Sequence, residues 1–320
     1  MHEAVAVEGQ EQRLVRHAVH LRPDKQPTPG SHAPSHGARG GSRSRETEER
    51  TTMTDFETIK KNQRAAWETG DYPRVGNTLQ IIAELLVEAA DVRAGQRVLD
   101  VACGQGNAAM AAARRFAVAS GVDYARNLLE QGRERAKAEH LDVTFIEGDA
   151  ENLPVGDQEF DLTCSTVGVM FAPDHQKAAD ELVRATKIGG KIAIANWTPS
   201  GMVGQMFKTV AGWAPPPAGV RPGTLWGTPG HLTELFGDRV EWTNLTVRTY
   251  AFRYLNAEHF SEWFRDFYGP ITRLAGTLSD DDLKKFAAEL ADVPREFNVA
   301  DDGTLVAPSE YLEAVGVRRA

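Results

Sequence analysis

An apolar run that ends in an acid and opens into a glycine loop sets the frame for this chain. Val98-Leu-Asp-Val-Ala-Cys-Gly-Gln-Gly-Asn107 leads into Ala108-Ala-Met-Ala-Ala-Ala-Arg114, a helix-forming segment. The pattern is a strand, a tight turn and a helix N-terminus, the setting in which an α/β protein holds a nucleotide-like cofactor. Gly104 and Gly106 let the backbone turn sharply and approach a ligand that a Cβ would obstruct. Asp100 places a carboxylate at the carboxyl end of the strand, which suits a cationic ligand and not a phosphate. Gly104-Gln-Gly-Asn-Ala-Ala109 also fits the glycine spacing of dinucleotide sites, so this motif alone leaves the cofactor open.

Further acids follow at the ends of further strands. Gly121-Val122-Asp123-Tyr124 closes a second strand, with Asp123 about 20 residues past the loop, the spacing of a ribose-binding acid. Val143-Thr-Phe-Ile-Glu147 runs into Gly148-Asp149-Ala150-Glu151. Glu159 to Ser165 reads as a fourth strand, and Ile188-Gly-Gly-Lys191 as a turn into a fifth. Strands alternating with helical segments imply a parallel sheet. With these residues the chain resembles the class I S-adenosylmethionine-dependent methyltransferases, in particular the small-molecule branch that includes the ubiquinone/menaquinone-type enzymes. The likeness covers about Thr54 to Trp197 firmly and the remainder loosely. It implies a doubly wound, Rossmann-like α/β fold with a seven-stranded, mostly parallel sheet whose last strand is antiparallel. It implies S-adenosyl-L-methionine as cofactor, with Asp100, Ala102, Gly104, Gln105 and Gly106 in the first motif. Asp123 and Tyr124 fall on the ribose side, Asp149, Ala150 and Glu151 on the adenine side, and Ser165 after the fourth strand. Gln105 stands where the family often has Thr or Ser, a change a backbone-driven loop tolerates.

The 320 residues suffice for one large domain or two modest ones, and 41% are hydrophobic, enough for a buried core. The net charge of −9 disfavours a nucleic-acid surface. Cys103 and Cys164 have no spacing that suggests zinc or a redox pair, and read as reduced thiols of a cytoplasmic protein. No metal site is expected. No apolar run reaches the ~18 residues of a membrane span. A homodimer is left open.

Residues 1–52 differ from the rest. They carry five of the nine histidines, are rich in Arg, Pro, Gly and Ser, and lack periodic apolar positions. Such a composition predicts a disordered extension, with Met53 an alternative start. Residues 53–320 then form the methyltransferase domain. Asp55 is placed to cap a first helix over Thr58 to Trp67, and a second helix covers Leu79 to Val87. By resemblance this N-terminal region closes over the cofactor, with Trp67 and Tyr72 as candidate cap aromatics. Long strands are expected from Val240 to Phe252 and from Leu305 to Val317. The helical stretches 198–238 and 256–300 would sit at the carboxyl edge of the sheet and form a substrate lid.

Methyl transfer from a sulfonium is an in-line displacement that depends chiefly on positioning, worth ~7–11 kcal/mol. A base is required only where the acceptor carries a proton. His175, His231 and His259 are the candidate bases, although His175 also fits first-turn packing beside an Asp174 cap. Trp197, Phe207, Trp213, Trp226, Phe260, Trp263, Phe264, Phe267 and Tyr268 are placed to line an apolar pocket for a small apolar or aromatic acceptor, although Phe260, Trp263, Phe264 and Phe267 fall at a helical spacing that fits core packing as well. Besides a cofactor-binding protein that has lost catalysis, two other functions remain open at this point. One is a macromolecular methyltransferase, against which stands Ser165-Thr-Val-Gly168 in place of the Asn/Asp-Pro-Pro-Tyr/Phe of amide- and amine-modifying relatives. The other is an NAD-dependent oxidoreductase.

Overall fold

In the computed structural model the described residues are 55–320, so the expectations for residues 1–52 lie outside them. The chain enters through helices α1 (Phe56–Trp67), α2 (Tyr72–Gly76) and α3 (Gln80–Ala89). Asp55 starts α1 by accepting from the Thr58 amide at 3.0 Å, one of the orphan donors of a helix N-terminus.

Next come β1 (Arg97–Val101), α4 (Asn107–Ala113), β2 (Val118–Asp123), α5 (Arg126–Ala138) and β3 (Val143–Glu147). They are followed by β4 (Phe160–Thr166), α6 (His175–Ala185) and β5 (Thr186–Trp197). α4 is nearly all alanine, and Ala108 to Ala112 are buried, so this helix approaches the sheet closely. Between β5 and the next strand come α7 (Met202–Trp213) and α8 (Pro229–Phe236). After β6 (Val240–Tyr254) come α9 (Ala257–Phe267), α10 (Gly269–Ala275) and α11 (Asp280–Glu296), and β7 (Leu305–Arg318) returns to the sheet.

The seven strands lie in the order β3-β2-β1-β4-β5-β7-β6. β1 pairs in parallel with β2 (Val98↔Ala119) and with β4 (Val98↔Leu162). β7 runs antiparallel to both β5 (Trp197↔Tyr311) and β6 (Val247↔Leu312). The order reverses between β1 and β4, and in an open α/β sheet the crevice at such a switch point, past the carboxyl ends of the strands, is the place for a ligand.

Two elements differ from the sequence reading. Gly189-Gly190 is a bulge inside β5, with the register shifting between Phe160 and Leu162 of β4, and not a turn ahead of the strand. The reason is local. Gly189 has φ +76°, and a Cβ on Gly190 would stand 2.9 Å from the Asp161 and Lys187 carbonyl oxygens. The short helices α2 and α10 carry no extended periodic pattern, and each begins with a proline at its first or second position. α8 packs against α6, while α11 packs on α9 and α7.

Candidate functional site

At the carboxyl ends of β1, β2 and β4 lies a cavity of about 800 Å³. Its floor is the loop after β1, where Ala102 and Gly104 take φ +52° and +55°. The Gly104 amide donates to Asp123 Oδ2 at 2.8 Å, and the Ala125 amide to Asp123 Oδ1 at 2.8 Å. Two neighbouring strand ends are thereby clamped by one carboxylate whose remaining lone pairs stay available. Burial raises the Asp123 pKa, opposed by these amides. Asp100 accepts from the Ala109 amide at 3.0 Å, and burial pushes its pKa up to about 7 against the pull of the Ala109 and Ala108 amides. Such a carboxylate gains from a cation brought into the cavity.

Gln105 is buried and reaches Asn77 Oδ1 at 3.0 Å, linking the loop to the N-terminal helices. Gly106, at φ +85°, starts α4, and a Cβ there would lie 2.7 Å from the Phe145 ring. Tyr124 lines the cavity together with Trp67. Asp149 and Ala150 line the far end. Asp149 takes the Glu151 amide at 2.9 Å and Lys60 Nζ at 2.7 Å. Trp67 and Tyr72 form the wall on the N-terminal side.

The other sequence-derived candidates face elsewhere. Ser165 is fully buried, donating to the Val101 carbonyl at 2.7 Å and accepting from the Val169 amide at 2.8 Å. Its neighbour Thr166 lines the cavity instead, with a buried hydroxyl that has no partner among the described residues. Glu151 is engaged by Lys60 at 3.3 Å and by the Asp174 amide at 2.7 Å.

None of the three histidines lines this cavity or the smaller one beside it. His175 and His231 are buried together, Nδ1 to Nε2 at 2.9 Å, and His231 Nδ1 meets Glu234 at 3.0 Å. Both pack on Trp226. Burial lowers the pKa of both, that of His175 to about 4 with help from His231 and Arg221. His259 accepts from the Leu255 amide at 3.3 Å and packs between Tyr254 and Trp263.

Beside the main cavity is a second of about 340 Å³. The two share Tyr72, Val167 and Phe171. The second is otherwise apolar, with Val203, Met206 and Phe207 from α7, Phe264 from α9, Tyr268 just past it, and Trp197 from β5. Val167 sits at φ +53°, a strained conformation for a β-branched residue and one that collects at functional sites. Sequence reasoning missed Lys60, Thr166, Val167 and Phe171. Only Thr166 had a signal, its place at the end of a recognised strand.

Fold and site together define a cofactor-binding α/β enzyme. Residues 98–190 match the family model described as Methyltransferase domain. The chain is 36% identical over 247 residues to Uncharacterized protein Rv1405c of Mycobacterium tuberculosis, covering 75% of this chain and 88% of that one. It is 35% identical over 114 residues to demethylmenaquinone methyltransferase of Paenarthrobacter aurescens, covering 36% and 44%. The crystal structure of YcgJ from Bacillus subtilis shares the fold, with a TM-score of 0.54 and 21% identity over 74% of this chain and 98% of that one. This chain belongs to the class I S-adenosylmethionine-dependent methyltransferases, and its cofactor is S-adenosylmethionine. Family membership decides between the sulfonium cofactor and the dinucleotide that the glycine spacing had left open. Among the described residues no helix is long and apolar enough to cross a membrane.

Proposed function

We propose that this enzyme methylates a small, largely apolar molecule held in the 340 Å³ cavity, next to a cofactor held in the 800 Å³ one. The observation that carries the reading is the shared wall. Tyr72, Val167 and Phe171 belong to both cavities, so two bound molecules would meet there. The residues present fit the cofactor. Asp123 has lone pairs left for ribose hydroxyls, buried Asp100 favours a nearby cation, and Asp149 and Ala150 stand at the adenine end. When bound, S-adenosylmethionine supplies a methyl group activated by a sulfonium.

The protein's part is to orient the acceptor in line with that methyl and to exclude water. The apolar lining does the second, because α7, α9 and the N-terminal helices leave few polar groups for water to bind. No side chain in the smaller cavity is a base at neutral pH. His175 and His231 are turned toward each other and His259 toward the Leu255 amide. The acceptor therefore arrives already able to attack. A macromolecular acceptor fits this small apolar space poorly.

The test is to incubate the enzyme and methyl-tritiated S-adenosylmethionine with a cell lysate and fractionate the products. Label in the organic extract is expected, and it should disappear in a Met206→Trp variant that fills the smaller cavity. Label confined to protein or nucleic acid would overturn the reading.

A further inference from the structure

Two tyrosines from distant parts of the chain meet at the wall of the apolar cavity. Tyr72 opens α2 and Tyr268 follows α9, and their ring centroids are 6.3 Å apart. The backbone is built to bring them together. The Asp71 amide donates to the Phe267 carbonyl at 3.2 Å, one residue from each tyrosine. Gly70, at φ +79°, has no room for a Cβ, which would stand 2.9 Å from the Phe267 oxygen. A Cβ on Gly269 would fall 2.1 Å from the Ala66 oxygen. Trp67 packs edge-on to both rings, at 5.5 Å from Tyr72 and 5.4 Å from Tyr268.

Neither hydroxyl has a hydrogen-bond partner among the described residues, although Tyr268 is buried. Neither oxygen is sealed from solvent, and a polar group in such a place is normally paired by protein, water or ligand. Burial raises both pKa values, that of Tyr72 to about 12, and each tyrosine or a nearby acid adds to the effect. Both are therefore neutral O–H groups, able to donate. The same cavity holds no carboxylate and no cationic side chain. An ammonium group would find no counter-charge among its lining side chains, since Asp123, the carboxylate that acts on Tyr72, belongs to the adjoining cavity, and a pure hydrocarbon would leave two donors unpaired.

We infer that the Tyr72 and Tyr268 hydroxyls fix the acceptor by donating to an oxygen on it, and that the cavity selects an apolar molecule bearing such an oxygen over an amine. This rests on reading the apolar cavity as the acceptor site. The pair is a specificity device, because a site that hydrogen-bonds a ligand oxygen penalises an analogue lacking it.

Three probes of one shape separate the cases: 1-indanone, which carries an oxygen, indane, which carries none, and 1-aminoindane, an ammonium at neutral pH. Binding to the full chain saturated with S-adenosylhomocysteine is measured by calorimetry at pH 7. Tyr72→Phe and Tyr268→Phe keep the rings and their packing. Each is expected to weaken 1-indanone about tenfold while leaving indane within twofold, and Tyr268→Phe, at a residue that does not line the larger cavity, should also leave S-adenosylhomocysteine within twofold. 1-Aminoindane should bind wild type at least tenfold more weakly than 1-indanone. If indane binds but the Phe variants treat it and 1-indanone alike, or if 1-aminoindane matches 1-indanone, the tyrosine inference is wrong and the acceptor cavity stands. If neither indane nor 1-indanone binds wild type, the cavity does not take apolar guests and both readings fall.

Discussion

Lys60 Nζ lies 2.7 Å from Asp149 Oδ2, joining helix α1 to the far end of the cofactor cavity. The same ammonium is 2.7 Å from Glu57 and 3.3 Å from Glu151, whose side chain is almost fully buried. Burial works against the Lys60 charge, but Asp149, Glu57 and Glu151 outweigh it and hold its pKa above the ordinary lysine value. Arg64 of the same helix reaches Glu147 at 3.0 Å. These contacts hold α1 beside a cavity that its own residues Lys60 and Trp67 help to line.

Removing Lys60 leaves Glu151 without its cation in a protected place, and a broken, partly buried pair costs more than a surface one. Lys60→Met is expected to lower stability by ~1–3 kcal/mol. It should also weaken S-adenosylhomocysteine binding several-fold as α1 loosens, and Lys60→Arg should recover most of both. Thermal melts with and without ligand check this. An unchanged melting temperature in Lys60→Met would show that the contact holds nothing.

Asp123 is expected to be the strongest single contributor to cofactor affinity. Hydrogen bonds to a charged acceptor are worth ~1.5–3 kcal/mol. Asp123→Ala should therefore weaken S-adenosylhomocysteine roughly 10- to 100-fold. Asp123→Asn, which keeps one acceptor oxygen for the Gly104 amide, should lose less. Calorimetry on variants that melt cooperatively provides the comparison. Wild-type affinity in Asp123→Ala would remove the carboxylate from the binding site.

The histidine pair predicts a pH dependence of stability. The folded state lowers the His175 pKa from an ordinary 6.5 to about 4, through burial first and then His231 and Arg221, against Asp174 and Glu234. Between these values the unfolded chain binds the proton and the folded chain does not. Stability therefore rises with pH across this window and is lost as pH falls from about 6.5 toward 4. The full span corresponds to ~3 kcal/mol for one group at ~1.4 kcal/mol per pH unit. Asp100, with its pKa pushed up to about 7, titrates in the opposite sense. The readout is thus the difference between wild type and His175→Gln. Their melting temperatures should converge as pH drops from 7 to 5. Parallel curves would show that His175 does not titrate in that range.

The folding frame was legible because it rests on local chemistry. The acid and glycines at Asp100 to Gly106, the acids at Asp123 and Asp149, and the alternating apolar runs all carry their signal within a few residues. Even the antiparallel return of β7 was readable, from the strand pattern after Leu305 and the likeness to the methyltransferases. What was not legible depends on contacts between distant segments. Nothing near Lys60 announces Asp149, and nothing in the spacing of Tyr72 and Tyr268 says they share a wall. The sequence reading chose Ser165, where the structure turns Thr166 toward the cavity. A strand end does not reveal which of two adjacent side chains faces a ligand until the backbone path into Val167 is known. The histidines drew notice as titratable groups, yet His175 and His231 meet only because α8 packs on α6.

The joint between α1, α2 and α9 gives the sharpest test of the packing. A Cβ on Gly269 would stand 2.1 Å from the Ala66 oxygen and 2.5 Å from the Thr69 oxygen, both backbone atoms that cannot rotate away. One segment must shift, and overpacking of this kind costs ~1–3 kcal/mol. At about 2–4 °C per kcal/mol for a chain of this size, Gly269→Ala should melt roughly 2–12 °C lower. Gly212 provides the contrast. It lies in α7, and a Cβ there would meet nothing within 4 Å. Alanine is the better helix former by up to ~1 kcal/mol, so Gly212→Ala should hold or raise the melting temperature. The two single-methyl substitutions therefore move stability in opposite directions. Because the Gly269 contact also sets the spacing of Tyr72 and Tyr268, Gly269→Ala should weaken 1-indanone more than S-adenosylhomocysteine. Equal melting temperatures for the two variants would mean that α1 and α10 are not in the close contact on which the tyrosine pair depends.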